Sequence, residues 1–131
     1  DRVLVDAPCS GLGTLRRNPD LKWRQSPDGI APLAALQLSI IQSASRLLKP
    51  GGRLVYATCS LLEQENEQVA AEFSGQNPDF EPVDVAHTLQ ALKVPQAATL
   101  CRQRDAEVSQ LRLWPHAHKV DGFFAAVWQK K

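Results

Sequence analysis

The chain has 131 residues with 44% hydrophobic and 22% charged side chains, which is typical of one globular domain or part of one. A formal net charge of +1 gives no global basis for nucleic-acid binding, so any basic surface has to be local. Three cysteines without a secretory start argue against a disulfide framework, and no apolar run reaches the ~18 residues that span a bilayer. We therefore expect a cytoplasmic protein with reduced thiols and no membrane partner.

The first part of the chain predicts a crossover unit of a parallel sheet. Val3–Val5 is a short apolar run of the kind that is covered on both faces. Apolar residues recur at helical spacing through 33–48, and Lys49–Gly52 then supplies a cation, a proline and two glycines that end a helix. A second β-type run follows at Leu54–Thr58. Strand, helix and strand in this order imply parallel pairing with a right-handed connection.

The middle of the chain predicts a second helix and then becomes less informative. Ser60 and Glu63 have the spacing of a capping box, so we expect a helix near 63–74. Its acidic residues are interpreted as a solvated face: Glu63, Glu65, Glu67 and Glu72. Within 76–110, the run Phe80–Val85 is a candidate strand and 89–92 a candidate helical turn.

The C-terminal part predicts a closing pair of strands. Leu111–Trp114 alternates as a strand does, and Gly122–Trp128 is a strong strand candidate after a loop at 115–121. Two strands joined by about seven residues without a helix can pair only in the antiparallel direction. The predicted fold class is therefore α/β, with parallel strands and covering helices first and an antiparallel pair last.

Two cysteines are predicted to meet at one edge of this sheet. Asp6–Gly11 reads Asp-Ala-Pro-Cys-Ser-Gly after the first strand, and Ala57–Ser60 reads Ala-Thr-Cys-Ser at the end of the second. Open α/β sheets bind ligands at the carboxyl ends of their strands, so Asp6, Cys9 and Cys59 should share one pocket. A single free cysteine is usually a small buried hydrophobe. Two at adjacent strand ends, each followed by serine, favour a functional site instead.

These motifs resemble the fourth and sixth motifs of the RsmB/Fmu/Sun-type RNA cytosine-C5 methyltransferases, with the bacterial ribosomal RNA enzymes as the closest group. Further agreement, in the same order along the chain, comes from four segments: Gly13–Asp20, Leu48–Gly52, Trp114–His116 and Asp121–Phe124. The resemblance implies the C-terminal half of a Rossmann-like class I methyltransferase fold. It also implies S-adenosylmethionine as cofactor, RNA as partner, and production of 5-methylcytosine in ribosomal RNA processing.

The resemblance assigns roles to three residues. Cys59 is the expected nucleophile that adds to C6 of cytosine and makes C5 reactive. Cys9 is expected to assist release of the covalent adduct, and Asp6 to lie near the cofactor and the target base. We expect a helix N-terminus beside Cys59 to favour its thiolate. A rival assignment stays open, because the DNA cytosine-C5 enzymes carry their nucleophile in a Pro-Cys pair, which here is Pro8-Cys9.

A basic cluster follows the first cysteine motif and is a candidate RNA contact. Cations with an aromatic residue among them suit phosphate neutralisation and base stacking, although a solvated loop is an equally weighted alternative. The cluster comprises Arg16, Arg17, Lys22, Trp23 and Arg24. We expect no metal site, because the histidines of the C-terminal loop lie two apart and no Cys-x-x-Cys pair is present.

The cofactor-binding half of such a domain is missing from the pattern. No glycine-rich turn after a first strand and no ribose-binding acid after a second one are visible. We interpret 1–131 as a partial catalytic domain without the N-terminal cofactor-binding half and RNA-binding regions. Alone, the chain is expected to be inactive, to bind the cofactor weakly and to associate through the edge of its first strand. The alternatives are a catalytically silent RNA-binding module and a thiol redox or metal protein.

Overall fold

The computed structural model describes residues 1–20, 27–102 and 108–131. Helices pack on a mixed sheet. The strands are β1 (Arg2–Asp6), β2 (Arg53–Thr58), β3 (Phe80–Pro82), β4 (Cys101–Arg102), β5 (Gln110–Leu113) and β6 (Phe123–Lys130). The α-helices are α1 (Ile30–Ser45), α2 (Glu67–Gln76), α3 (Val85–Ala91) and α4 (Pro115–His118), with 3₁₀ turns at Leu12–Thr14, Pro27–Gly29 and Ala97–Leu100.

The sheet has the predicted order of a parallel unit followed by antiparallel strands. β1 pairs with β2 in parallel, in a register that aligns Asp6 with Ala57, and α1 forms the crossover between them. β6 then pairs antiparallel with β2 on one side and with β5 on the other, giving the order β1-β2-β6-β5-β4. β3 pairs with the far end of β6. The α/β class is confirmed. β1 is an edge strand of this sheet, and its Leu4 is 68% exposed.

The helix boundaries differ from the prediction for identifiable reasons. α1 ends at Ser45, and residues 46–48 continue as turns whose amides bond three residues back, which extends the apolar periodicity beyond the helix. The predicted strand from Phe80 stops at Pro82, because the Asp84 side chain caps α3 by accepting from the His87 amide at 3.3 Å. The predicted loop at 115–121 contains the short helix α4.

Helices α1 and α2 cover one face of the sheet and enclose the core. Alternate residues of the central strands β2 and β6 point to that face, and together they form a continuous apolar layer. Phe73 of α2 packs edge-on against Trp128 at 5.0 Å and Phe80 at 5.3 Å between ring centroids. The buried core also includes Ile41, Leu54, Tyr56, Val69, Phe124 and Ala126. In the three ranges that the structure describes, no helix combines the length and apolar character needed to cross a membrane.

Candidate functional site

The structure brings the two motif cysteines into contact. Cys9 lies in the loop after β1, Cys59 directly follows β2, and their Sγ atoms are 3.3 Å apart. Both side chains are partly exposed and neither forms a disulfide. A pair of accessible thiols, fifty positions apart in sequence, therefore lies at the carboxyl edge of the two parallel strands.

Backbone hydrogen bonds fold the first loop over the end of β2. The Ala7 amide donates to the Ala57 carbonyl at 2.9 Å, which extends the parallel pairing beyond Asp6. The chain then turns at Gly11, whose φ of 74° is the left-handed conformation that glycine adopts without strain. After this turn the Gly13 amide donates to the Cys59 carbonyl at 2.8 Å. The loop carrying Cys9 is thus bonded to β2 on both sides of the cysteine.

Asp6 is the last residue of β1 and is exposed at the same edge as the two sulfurs. Its register partner Ala57 lies two positions before Cys59. An accessible carboxyl group at the carboxyl end of a parallel strand can contact a bound ligand there.

Burial raises the pKa of Cys9. Desolvation, together with the hydrogen bond to Cys59, raises the pKa of the Cys9 thiol to about 12. The raised pKa disfavours the thiolate form of Cys9, and either sulfur can be the donor in the contact between them.

The helix expected near 63–74 starts later in the chain. α2 begins only at Glu67, because turns fill the segment before it and the Asn66 side chain is drawn inward. Asn66 accepts from the Thr58 hydroxyl and donates to the Ser60 carbonyl at 2.9 Å. These tertiary bonds override the capping-box spacing, and they hold Asn66, the N-cap of α2, against the residues on both sides of Cys59.

The interpretation of the glutamates as a solvated helix face was wrong for Glu65 and Glu67. The side chain of Glu67 is only 13% exposed and pairs with the buried Arg112. Glu65 is fully buried, and it accepts hydrogen bonds from Ser10 and Ser60, the residues that follow the two cysteines. The serine after each cysteine was the sequence signal for a shared partner. Glu63, the residue at the capping-box position, instead pairs with Arg102 at 3.3 Å.

Arg112 is a second functional candidate that the sequence did not reveal. Its buried guanidinium donates to the Ser60 carbonyl at 3.2 Å and to the Leu61 carbonyl at 2.8 Å. The same group pairs with Glu67 at 3.2 Å and lies 4.3 Å from the centre of the Trp114 ring. Strand alternation in β5 gives no indication of a buried cation. Arg112 fixes the backbone that directly follows Cys59.

The two described arginines of the basic cluster join the first loop to the loop before β6. Arg17 pairs with Asp121 at 2.5 Å, and Arg16 donates to the Lys119 carbonyl at 3.1 Å. Their side chains remain 62% and 51% exposed, so their outer faces stay open to solvent. The other predicted contacts, Lys22, Trp23 and Arg24, lie outside the described residues.

The pairing with Arg17 perturbs Asp121. The hydrogen bond from the Arg17 guanidinium lowers the pKa of the Asp121 carboxyl group. A carboxyl group whose pKa falls on folding stabilises the fold above its unfolded value of about 3.9. This contribution to stability is lost as the pH falls through the lower pKa that Asp121 has in the folded protein. The ion pair between the two loops therefore weakens only in acid.

Gly13 joins three loops and has no room for a side chain. Its amide bonds to the Cys59 carbonyl, and its own carbonyl accepts from the Gly122 amide at 2.7 Å. A Cβ atom at Gly13 would lie 2.3 Å from the Gly122 oxygen and 2.5 Å from the Cys59 oxygen. Because these neighbours are backbone atoms, they cannot move aside as a flexible side chain would.

We expect Gly13→Ala to lower the free energy of unfolding by about 1–3 kcal/mol, the usual cost of overpacking. Gly75→Ala is the matched control, since a Cβ atom at Gly75 meets nothing within 4 Å. Gly75 lies in α2, where alanine is the better helix former, so Gly75→Ala should leave the free energy of unfolding unchanged or raise it by up to about 1 kcal/mol. Urea unfolding measures both changes. Equal midpoints for the two variants would contradict the packing at Gly13.

The histidines of the C-terminal loop serve structural contacts. His118 accepts from the Trp114 amide at Nδ1, 3.0 Å away, and its Nε2 donates to the Thr99 carbonyl at 2.8 Å. His116 is exposed beside Trp114, with ring centroids 6.0 Å apart. Within residues 1–20, 27–102 and 108–131, no three His, Cys, Asp or Glu side chains gather as a metal site would require.

The chain is similar to known methyltransferases both in sequence and in fold. The family model described as 16S rRNA methyltransferase RsmB/F matches residues 1–129. The chain is 42% identical over its whole length to a Bacillus subtilis protein named "Probable ribosomal RNA small subunit methyltransferase B", and it spans 28% of that protein. A Pyrococcus horikoshii methyltransferase homologue is 32% identical, with a TM-score of 0.71 over the whole of this chain and 39% of its own.

A third relative was solved with a small molecule. The crystal structure of NSun6 from Pyrococcus horikoshii with SFG is 29% identical, with a TM-score of 0.73 over 97% of this chain and 29% of that one. These neighbours share the Rossmann-like methyltransferase fold expected from the sequence. Because the family model covers all but the last two residues, the chain belongs to the 16S rRNA methyltransferase RsmB/F family.

Proposed function

We propose that this chain is the nucleophile-bearing part of an enzyme that transfers a methyl group from S-adenosylmethionine to C5 of a cytosine in RNA. The observation that carries the proposal is the 3.3 Å contact between Cys9 and Cys59 at the carboxyl edge of β1 and β2. Relatives named as ribosomal RNA small subunit methyltransferases support ribosomal RNA as the substrate class, and the cytoplasm as the place of action.

Cys59 supplies the covalent step in this proposal. Its sulfur, after the thiol proton has been given up to solvent, adds to C6 of the cytosine, and the electrons of the C5–C6 double bond move to C5. C5 would then take the methyl group from the sulfonium of S-adenosylmethionine, where the methyl–sulfur bond breaks and a neutral thioether is left. The C5 proton then passes to a base, the double bond re-forms, and the bond between C6 and sulfur breaks. The covalent adduct is needed because C5 of an unmodified cytosine is too weak a nucleophile to take the methyl group directly.

Cys9 assists the last of these steps. Since burial and the neighbouring sulfur keep its thiol protonated, its S–H group can donate to the Cys59 sulfur as that sulfur leaves C6. A hydrogen bond stabilises the developing negative charge on a departing thiolate. The protonated state of Cys9 favours Cys59 over Cys9 as the nucleophile, in line with the RNA-type assignment.

Asp6 suits the proposed cofactor. S-adenosylmethionine supplies a methyl group activated by a positively charged sulfur. The exposed carboxyl group at the end of β1 offers a negative charge at the edge where open α/β sheets bind ligands, so it fits such a cation. Asp6 would hold the cofactor or the cytosine edge while Cys59 reacts. The chain alone is expected to bind the cofactor weakly, and a titration of the isolated chain measures this.

Arg17 tests the proposed RNA surface. We expect Arg17→Ala to reduce the slope of log affinity against log salt by about 1, as the loss of one phosphate contact does. Arg46→Ala is the matched control, because Arg46 is exposed at the end of α1, near the opposite edge of the sheet. Fluorescence anisotropy with RNA over a range of salt gives both slopes. An unchanged slope for Arg17→Ala would remove that residue from the contact set.

The product of the reaction tests the proposal itself. A complete protein that carries this chain is incubated with methyl-labelled S-adenosylmethionine and ribosomal RNA, and the digested nucleosides are separated by mass. We expect the label in 5-methylcytidine. Label in another nucleoside would refute the chemistry. RNA retention without label would instead favour the alternative of a catalytically silent RNA-binding module.

A further inference from the structure

The carboxyl group of Glu65 lies between the two cysteine loops. Its Oε1 accepts from the Ser10 amide at 2.7 Å and from Nε2 of Gln37 at 3.2 Å. Its Oε2 accepts from the Ser10 hydroxyl at 2.7 Å and from the Ser60 hydroxyl. Four donors from three parts of the chain thus match the four acceptor positions of a carboxylate.

Glu65 is itself fixed by the surrounding fold. The Tyr56 hydroxyl of β2 donates to the Glu65 carbonyl at 2.6 Å. The side-chain amide of Gln37, on α1, donates to the Pro8 carbonyl at 2.9 Å as well as to the Glu65 side chain. Four hydrogen bonds to the Glu65 carboxyl group and one to its own carbonyl oxygen therefore restrain this buried side chain to one position.

The two serines that donate to Glu65 each follow one of the motif cysteines. Ser10 directly follows Cys9, and Ser60 directly follows Cys59, so one carboxyl group holds the residue after each sulfur. We propose that Glu65 is a positioning residue that sets the alignment of Cys9 and Cys59. The inference rests on the proposed roles of these two sulfurs, which require them to stay in contact through the catalytic cycle.

Thiol exchange with an aromatic disulfide measures that alignment without RNA or cofactor. One cysteine thiolate displaces an aryl thiolate and forms a mixed disulfide with the remaining aryl group. The neighbouring thiol then loses its proton and attacks the protein sulfur of that mixed disulfide, forming a Cys9–Cys59 bond and releasing the second aryl thiolate. Cys101 is replaced by serine in every sample, so that no third thiol contributes. The parent should release two aryl thiolates and retain no aryl adduct.

We expect Glu65→Gln to slow the second release by roughly tenfold to a hundredfold, because intramolecular reactions depend steeply on alignment. A persistent aryl adduct, detected by mass, should accompany the slower release. Glu72→Gln is the matched control, since Glu72 is exposed on α2, and it should react as the parent does. In a complete protein that carries the chain, Glu65→Gln should lower kcat and leave the KM for RNA unchanged.

A second variant covers the case in which Glu65→Gln does not fold. Ser10→Ala removes one hydroxyl donor but keeps the hydrogen bond from the Ser10 backbone N–H to Glu65. This variant should therefore fold, and it should slow the release of the second aryl thiolate to a smaller degree. Folded Ser10→Ala and Glu65→Gln variants that release both aryl thiolates at the parent rate would overturn the inference. Failure of the methylation proposal would leave the exchange result intact, so the two failures are distinguishable.

Discussion

Serine in place of Cys59 should abolish the covalent protein–RNA complex, and serine in place of Cys9 should make that complex accumulate. A serine hydroxyl at position 59 is too weak a nucleophile for C6, so methyl transfer should fall by about 10⁴-fold or more, as when other covalent nucleophiles are removed. Serine at position 9 leaves Cys59 able to attack. It is a poorer partner for the departing sulfur, so release becomes the slow step.

Denaturing gel electrophoresis of a complete protein that carries the chain, mixed with RNA and cofactor, shows both outcomes. Cys101→Ser is the matched control, because Cys101 lies in β4 and outside every motif, and it should behave as the parent does. The reverse pattern, with the complex lost in the Cys9 variant and accumulating in the Cys59 variant, would support the rival Pro-Cys assignment and contradict ours.

Arg112→Met should lower the free energy of unfolding by about 3–5 kcal/mol, the usual cost of removing one partner of a buried ion pair. The side chains of Arg112 and Glu67 are 1% and 13% exposed, so the substitution leaves a buried carboxyl group without its cation. It also leaves the Ser60 and Leu61 carbonyls without their donor. The segment after Cys59 should loosen as a result. Arg102→Met is the matched control, because the pair of Arg102 with Glu63 is well exposed and should contribute about 0–1 kcal/mol.

The effect of Arg112→Met should depend on pH. Burial raises the pKa of Glu67 even though the Arg112 charge opposes the shift, so the ionised form costs stability above the folded pKa. Without Arg112 that pKa rises further, and the variant takes up its proton at a higher pH than the parent does. The difference in free energy of unfolding between the parent and Arg112→Met, measured in urea, should therefore become smaller as the pH is lowered from about 7. The pH should be lowered towards about 4.3, the pKa of a glutamate in the unfolded chain. A deficit independent of pH would contradict the pairing.

Much of the fold follows from local sequence patterns. The runs at Val3–Val5 and Leu54–Thr58 are short, apolar and bounded by turn residues, so they identify the parallel strands and therefore the edge where both cysteines emerge. The short connection at 115–121 predicts the antiparallel pair. β3 and β4 have only three and two residues, and their pairing is decided by neighbours rather than by periodicity.

The polar groups beside the site could not be predicted in the same way. Glu65 and Arg112 are buried because specific partners far away in the sequence satisfy them, and no local spacing records those partners. The start of α2 was misplaced for the same reason, since inward hydrogen bonds of Asn66 outweigh a capping box. The sequence thus indicated which sulfurs meet but not the groups that hold them.

Peptide mapping of a trapped complex tests the central claim most directly. RNA carrying 5-fluorocytosine has no C5 proton to lose after methyl transfer, so the bond between sulfur and C6 persists through digestion. The account predicts that the modified nucleotide is recovered on the peptide that contains Cys59. Recovery on the Cys9 peptide, or a methylated product formed with no protein-bound nucleotide, would contradict it.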